Sequence, residues 1–125
     1  MELEEKYRIE RTKWDRAACK AESNMVPVRD GSDFLKYCEG KIELTGIADF
    51  LGDLRGKTVL EIGCATGFHS ILLARSGARV KSFDISPESI RVAQHRAEIN
   101  GLSNEIEFRV AVCEHMPSRF GNRGL

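Results

Sequence analysis

The chain has 125 residues, of which 42% are hydrophobic and 30% are charged, and this composition is typical of a folded globular domain. Its 19 basic and 19 acidic side chains balance at neutral pH, so no charge excess favours a polyanion such as nucleic acid as partner. The basic residues over 91–96 are expected to form a solvated helix face. At this length we expect one domain with a useful hydrophobic core.

The cysteines and the amino-terminal residues indicate where the protein works. The sequence has four cysteines, at Cys19, Cys38, Cys64 and Cys113. They form no CxxC pair and no spacing typical of zinc ligands, so we expect reduced thiols and no metal site. The first residues, MELEEKYRIERTKWDR, lack the apolar run of a signal peptide. No other run approaches the roughly 18 apolar residues that cross a bilayer, so we expect a cytoplasmic protein without a membrane partner.

Residues 1–56 are predicted to be mainly helical. Apolar residues recur at three-to-four-residue steps over residues 3–21, as on one face of an amphipathic helix that ends near Ser23. After a loop, apolar positions with a similar spacing predict a second helical region over residues 33–51, which Gly40 interrupts.

From there on, short β-branched runs alternate with helical patterns. Strands are predicted near residues 57–62, 79–84 and 105–112, with a helix in each interval. Ser86 and Pro87 are typical of the N-cap and first turn of the second of these helices. Strand, helix, strand, helix, strand with short links predicts an α/β fold with a Rossmann-like parallel sheet.

The stretch VLEIGCATGFHS joins the first of these strands to the next helix. Gly63 ends the strand and can adopt φ values that other residues avoid. Gly67 lies where the helix begins and would allow close approach of the backbone to a ligand. Asp84 ends the second strand, where a carboxylate can accept hydrogen bonds from two ribose hydroxyls. Turn and acid together predict a nucleoside site at the carboxyl ends of the strands.

Phe68 distinguishes this turn from a dinucleotide-binding one. A dinucleotide site needs Gly or Ala at that position of GxGxxG/A, and Phe68 is large. The spacing is instead G-x-A-x-G, with Ala65 in the middle. With these residues, VLEIGCATG, FDIS and the helix after them resemble the class I S-adenosylmethionine-dependent methyltransferases over about residues 54–117.

The resemblance implies a set of contacts with S-adenosylmethionine. Glu61 matches the acid of the family's first motif, and would steady the loop and the methionine amino group. Asp84 would bind the ribose and Ile85 would pack on the adenine, while the backbone N–H of Cys113 would reach the adenine ring. The full expected set is Glu61, Gly63, Cys64, Ala65, Gly67, Asp84, Ile85 and Cys113.

Two positions depart from the family pattern. Ala65 replaces the middle glycine, which is a mild change if the φ angle of Ala65 is negative. Val112 stands where the family usually has an Asp that accepts the adenine amino group, and Glu114 is a weak substitute for it. We therefore expect adenine recognition to differ from the family pattern.

A few other side chains are open to a functional or a structural role. His69 could act as a base, but its place in the first turn of a packed helix favours a structural role. Cys64 is better explained as a small filler residue, because methyl transfer from a sulfonium needs no covalent enzyme intermediate. Tyr7 and Trp14 could cover the cofactor, as N-terminal helices do in this family, but we favour packing of the first helix on the domain.

The resemblance also implies how the domain is organised. Residues 1–56 would be an N-terminal helical segment of the same domain, and residues 57–125 would be part of the S-adenosylmethionine-binding domain. The family's sheet has seven strands and only three are predicted here. We therefore expect an incomplete fold that carries the cofactor-binding half.

The expected function is S-adenosylmethionine-dependent methyl transfer by the full-length fold, to an unidentified acceptor for which a small molecule is favoured. We expect no catalytic residue and no turnover in this chain alone, because the half that holds the acceptor is missing. The alternatives are a non-catalytic nucleoside-binding or assembly module, an inactive truncated fragment, and a dehydrogenase fragment, which Phe68 disfavours. The first strand would have one open edge, through which self-association is expected.

Overall fold

The computed structural model describes residues 2–28 and 32–112. Eight elements follow one another within those residues. They are α1 (Leu3–Glu22), α2 (Phe34–Cys38), α3 (Ile42–Leu51), β1 (Thr58–Ile62), α4 (Phe68–Arg75), β2 (Arg79–Asp84), α5 (Pro87–Ile99) and β3 (Ile106–Val110). Across these two stretches, no helix combines the length and the apolar character that crossing a bilayer requires.

The three strands form one parallel sheet in the order β1-β2-β3. Val59 of β1 lies opposite Val80 of β2, and Val80 lies opposite Ile106 of β3. α4 joins β1 to β2 and α5 joins β2 to β3, as parallel neighbours require. The predicted α/β fold is confirmed, although β3 ends at Val110 and not at residue 112.

The core lies between the sheet and the two helices that connect its strands. α4 is buried on nearly all sides, with Ile71 and Leu72 fully buried and Leu73 only 5% exposed. It contacts β2, α2 and α5. α5 contacts β2 and β3 through a row of small or branched side chains that includes Ile90 and Ala93. Because the side chains of this layer are buried and packed together, they hold the carboxyl ends of the strands in fixed relative positions.

The first helix lies along α5 and is attached to it by polar contacts. Glu22 accepts a hydrogen bond from Arg91 at 2.7 Å and lies 3.1 Å from the Nδ1 atom of His95. About two turns before Glu22 in α1, Asp15 accepts a hydrogen bond from the Ser86 hydroxyl at 2.5 Å. The side chain of Arg91 is 51% exposed, as predicted for a solvated basic face, and it pairs there with Glu22 of α1 and Glu88 of α5.

The break predicted at Gly40 is confirmed. Gly40 has a φ of +75° and separates α2 from α3. α3 then exposes much of its apolar surface, since Ile42 is 91% and Phe50 is 89% exposed. Within the described residues, this is the largest concentration of exposed apolar side chains on one helix.

Gly67 marks the point where the turn after β1 touches α5. Its φ is +83°, and a Cβ atom built at this position would lie 2.9 Å from the Cβ atom of Ala93. The sequence predicted that the missing side chain makes room for a ligand. The position of the missing Cβ faces a helix of the same chain, so Gly67 fixes the distance between the turn and α5. Contact of the Gly67 backbone with a ligand stays a prediction.

We predict that Gly67→Ala destabilises the fold more than Gly63→Ala. At Gly67 the new Cβ would meet Ala93, whereas at Gly63, with a φ of +71°, nothing lies within 4 Å. We expect the free energy of unfolding to fall by about 2–4 kcal/mol for Gly67→Ala and by about 1 kcal/mol for Gly63→Ala. Urea denaturation of both variants measures this, and equal losses would contradict the contact with α5.

Candidate functional site

A cavity of about 370 Å³ opens at the carboxyl ends of the strands. In a parallel sheet this is where the loops diverge and ligands bind. Its wall combines α1, the turn after β1 and the ends of β2 and β3. The lining residues are Tyr7, Glu10, Trp14, Ile62, Gly63, Ala65, Phe83, Asp84, Ile85, Ala111 and Val112.

The turn after β1 forms one side of this cavity. The N–H groups of Gly63 and Cys64 both donate to the carbonyl of Phe83, at 2.8 and 3.1 Å. Ala65 has a φ of +49°, so the negative φ on which the sequence argument depended is not observed. An alanine in this region is strained by roughly 1–2 kcal/mol relative to a right-handed conformation, and the turn must be held from outside.

Asp84 supplies that hold. Its Oδ2 atom accepts the N–H of Ala65 at 2.9 Å, and its Oδ1 atom accepts the N–H of Ser86 at 3.0 Å. The side chain is only 9% exposed, yet it lines the cavity. A carboxylate has about four lone-pair sites, so two backbone bonds leave this cavity-lining side chain with further acceptor capacity.

Ser86 extends this connection to α1. Its hydroxyl oxygen accepts the N–H of Ser89 at 2.9 Å as the N-cap of α5, as the sequence predicted, and donates to Asp15 at 2.5 Å. Asp15 also accepts the N–H of Glu88 at 3.3 Å. No local sequence signal identifies Asp15, because its partners are about seventy positions away in the chain.

Glu61 lies behind the turn and does not line the cavity. Its Oε1 atom accepts hydrogen bonds from the hydroxyls of Ser70 at 2.5 Å and Ser82 at 2.9 Å. Burial raises the pKa of the Glu61 carboxyl, although both serine hydrogen bonds oppose the increase. Glu61 therefore joins β1 to α4 and β2 beneath the turn.

Of the two cysteines expected at the site, Cys64 is among the described residues and Cys113 is not. Cys64 is 5% exposed and does not line the cavity. Burial raises the pKa of its thiol, and the nearby Glu61 and Asp84 carboxylates raise it further, so the thiol stays protonated and unreactive at neutral pH. Cys113 lies outside the described residues, as does Glu114.

Arg96 holds the turn from the side of α5. Its Nε atom donates to the carbonyl of Thr66 at 2.7 Å, and the side chain is half-buried, which lowers the pKa of the guanidinium. The sequence predicted a solvated basic helix face over residues 91–96. At Arg96 that prediction is wrong, because the guanidinium satisfies a carbonyl of the turn.

Three residues of α1 line the cavity, although the sequence did not place them in the cofactor site. Tyr7 and Trp14, for which packing was favoured, both line the cavity. The indole N–H of Trp14 donates to Glu10 at 3.0 Å, and Glu10 was not among the expected contacts. Arg11 fixes this part of the helix by donating to the carbonyl of Ile85 at 3.3 Å.

His69 does not line the cavity. Its ring contacts Tyr37 of α2 and Phe68, with ring centroids 5.5 and 5.7 Å apart, so the structural role favoured from the sequence is supported. The ring contact of His69 outside its own helix is with Tyr37 of α2.

A second, wider hollow of about 560 Å³ lies near the amino end of β1. Its wall includes Asp33, Asp49 and Asp53, and Asp53 is paired with Arg55 at 2.7 Å. Neither the glycine turn nor Asp84 reaches this hollow. Volume alone would favour it, but strand polarity favours the cavity at the carboxyl ends.

A family model described as a methyltransferase domain matches residues 53–122. The chain belongs to this family. The matched region contains the glycine turn, Asp84 and all three strands. The family inferred from the resemblance is therefore confirmed.

Curated relatives match the same part of the chain over a limited length. The ubiquinone biosynthesis O-methyltransferase of Actinobacillus pleuropneumoniae is 44% identical over 61 residues, which are 49% of this chain and 25% of that protein. The ribosomal protein L11 methyltransferase of Aeromonas hydrophila is 43% identical over 56 residues, which are 44% of this chain and 19% of that protein. The match thus spans about a quarter or less of each relative.

Solved structures establish the fold. The magnesium protoporphyrin IX methyltransferase of Synechocystis PCC 6803 with bound SAM superposes with a TM-score of 0.63 at 22% identity, over 91% of this chain and 58% of that one. The cyclase SpnF gives a TM-score of 0.64 at 17% identity, over 91% of this chain and 46% of that one. Similarity of this kind fixes the Rossmann-like architecture but not the reaction.

We predict that Glu61→Gln changes how stability depends on pH. Because burial raises the pKa of Glu61, the folded chain keeps this proton to a higher pH than the unfolded chain. Between the pKa of Glu61 in the unfolded chain and its higher pKa in the folded chain, ionisation favours unfolding, so the stability contributed by Glu61 falls as pH rises. The glutamine side chain of Glu61→Gln cannot ionise and lacks this dependence.

The free energy of unfolding of Glu61→Gln, relative to wild type, should therefore increase from about pH 4 to about pH 7. Urea denaturation at several pH values measures it. A constant difference across this range would mean that Glu61 titrates alike in the folded and unfolded chains.

Proposed function

We propose that the chain supplies the cofactor site of an S-adenosylmethionine-dependent methyltransferase. The observation that carries the proposal is the Asp84 carboxylate, which holds the glycine turn and lines the cavity beside it. The family assignment of residues 53–122 supports the same function. Other folds place a carboxylate beside a glycine turn, but here both belong to a matched methyltransferase region.

The cavity fits this cofactor in size and in chemistry. Its volume of about 370 Å³ is within the range of small-molecule sites. Asp84 would accept hydrogen bonds from the ribose hydroxyls with its remaining lone pairs. Ile85 and Val112 offer apolar surface to a flat base, and Gly63 leaves the turn open toward the methionine part.

Methyl transfer would rest mainly on positioning. When bound, the cofactor supplies an electrophilic methyl group on a sulfonium. The residues of this chain would hold it still and exclude water from one side, which is the contribution that proximity requires. Cys64 takes no part as a nucleophile in this proposal, because its thiol is buried and protonated.

Adenine recognition would depart from the family pattern, as expected from Val112. The side chain of Val112 lines the cavity and can accept no hydrogen bond from the adenine amino group. The end of β3 is tied to β2, since the N–H of Ala111 donates to the carbonyl of Asp84 at 3.0 Å. The base would therefore be held by apolar contact and by backbone groups.

The proposed acceptor is a small molecule, and the proposed compartment is the cytoplasm. The balanced charge of the chain favours no nucleic acid. The two relatives named above are a ubiquinone biosynthesis and a ribosomal protein methyltransferase, so the matched region is compatible with different acceptors. Cys19, Cys38 and Cys64 are free thiols, as expected in a reducing compartment.

We predict that Asp84→Ala weakens binding of S-adenosylmethionine and S-adenosylhomocysteine about ten- to hundredfold, because a charge-assisted hydrogen bond contributes roughly 1.5–3 kcal/mol. Isothermal titration calorimetry measures the affinities. Asp53→Ala is the matched control, because it removes an exposed carboxylate at the other end of β1 and should leave both affinities unchanged.

Loss of the hold on Ala65 could unfold the turn, so circular dichroism of Asp84→Ala must first show a folded chain. Asp84→Asn then keeps the size of the side chain while losing its charge, and should weaken binding in the same direction. Wild-type affinity in both variants would contradict the site. Tighter binding of NAD than of either sulfur compound would contradict the class of cofactor.

We also propose that a second copy of the chain pairs with the open edge of β1. Within residues 2–28 and 32–112, β1 pairs with β2 alone. The N–H of Arg79 donates to the carbonyl of Lys57, and the N–H of Gly63 to the carbonyl of Phe83. Since these bonds alternate along a strand, the backbone groups of Thr58, and of every second residue after it, point to the open edge.

We predict that Thr58→Pro reduces self-association. Proline is tolerated at the first residue of a strand, and it removes an N–H that points away from β2. Loss of one such hydrogen bond should raise the dimer dissociation constant about three- to tenfold. Sedimentation velocity over a range of concentrations measures it.

Val59→Pro is the informative control, because its N–H faces β2 and its loss should destabilise the fold itself. A wild-type chain that stays monomeric at all concentrations would contradict the proposed pairing. Unchanged association of Thr58→Pro would place the contact elsewhere.

A further inference from the structure

The side of the cavity formed by α1 is acidic. Among the described residues that line the cavity, the charged ones are Glu10 and Asp84, and none is Lys, Arg or His. Asp84 already accepts two backbone N–H groups, whereas Glu10 accepts the indole N–H of Trp14. The α1 side therefore presents a carboxylate to whatever occupies the cavity.

This carboxylate is held in place by its own helix. The Trp14 indole N–H lies 3.0 Å from the Glu10 Oε2 atom, one helical turn away. α1 is in turn attached at Asp15 to the start of α5 and at Arg11 to the carbonyl of Ile85. Trp14, which orients Glu10, thus lies between two residues, Arg11 and Asp15, that attach α1 to the rest of the fold.

Two basic residues, Arg11 and Lys13, follow Glu10 within three positions of α1, and both have other contacts. The Lys13 Nζ atom lies 5.2 Å from the centroid of the Trp14 ring, and Arg11 donates to Ile85. Neither side chain lines the cavity. Both charged side chains among the described lining residues are therefore carboxylates, which favours a cation in the cavity.

We propose that Glu10 makes the cavity selective for a cationic ligand, so that α1 distinguishes the sulfonium cofactor from its neutral thioether product. The inference rests on the proposed function. S-adenosylmethionine differs from S-adenosylhomocysteine by one methyl group and the positive charge that it places on the sulfur. A nearby carboxylate interacts more favourably with the charged form, and Glu10 provides such a carboxylate.

The size of the effect follows from the exposure of Glu10. A carboxylate at the rim interacts with a nearby cation through partly aqueous surroundings, which corresponds to about a two- to fivefold change in affinity. The interaction is also screened by salt, since the Debye length falls from roughly 14 Å to roughly 4 Å between about 0.05 M and about 0.5 M salt.

The test is calorimetric titration of S-adenosylmethionine and S-adenosylhomocysteine into the full chain and into Glu10→Gln. We expect Glu10→Gln to weaken S-adenosylmethionine binding about two- to fivefold and to leave S-adenosylhomocysteine binding unchanged. High salt should reduce the wild-type preference for S-adenosylmethionine in the same way and should have little effect on the preference of Glu10→Gln.

Glu4→Gln is the matched control. It makes the same change of net charge on the same helix, and Glu4 does not line the cavity. Trp14→Phe keeps an aromatic ring but removes the N–H that holds Glu10. Because Trp14 itself lines the cavity, both affinities can change, and the expected result is a lower ratio of S-adenosylmethionine to S-adenosylhomocysteine affinity than in wild type.

Equal effects of Glu10→Gln on both ligands, or none on either, would overturn the inference while leaving the proposed function intact. An effect of Glu4→Gln as large as that of Glu10→Gln would overturn it too, because net charge and not position would be responsible. If the wild-type chain binds neither ligand, the proposed function is wrong and the inference falls with it.

Discussion

The hydrogen bonds of the Asp84 carboxylate are the constraint on which the site depends. One oxygen holds the N–H of Ala65 and the other holds the N–H of Ser86, so a single side chain at the end of β2 fixes the turn after β1 and the start of α5. Without it the positive φ of Ala65 would have little to offset its strain. Asp84 thereby links the two loops that border the cavity.

Other contacts act on the same turn from different sides. Glu61 and its two serine partners support it from beneath, and the Arg96 guanidinium holds the carbonyl of Thr66 from α5. Gly67 admits α5 at a distance that no side chain would allow. These contacts use backbone and buried polar groups, so they leave the lining free for a ligand. A rigid turn of this kind suits a reaction in which positioning contributes most of the rate.

The sequence predicted the fold well because its signals are local. Strand and helix periods, the Ser86 cap and the break at Gly40 each depend on neighbours within a few residues. The same reasoning missed the contacts of Asp15 and the place of Glu10, because both depend on how α1 lies against α5 and the cavity. The sign of φ at Ala65 was also beyond local reasoning, since a distant carboxylate stabilises it. The expected contact at Cys113 lies outside the described residues and stays a prediction.

The account is tested most directly by mapping bound S-adenosylhomocysteine with amide chemical shifts in a ¹H–¹⁵N correlation spectrum. The account predicts that the largest changes fall on the amides of Gly63, Ala65 and Ile85, which lie around Asp84 and the cavity. The chemical shifts of amides that line the second hollow, such as those of Gly52 and Asp53, should not change. Large changes at the second hollow with none at the glycine turn would contradict a cofactor site at the carboxyl ends of the strands.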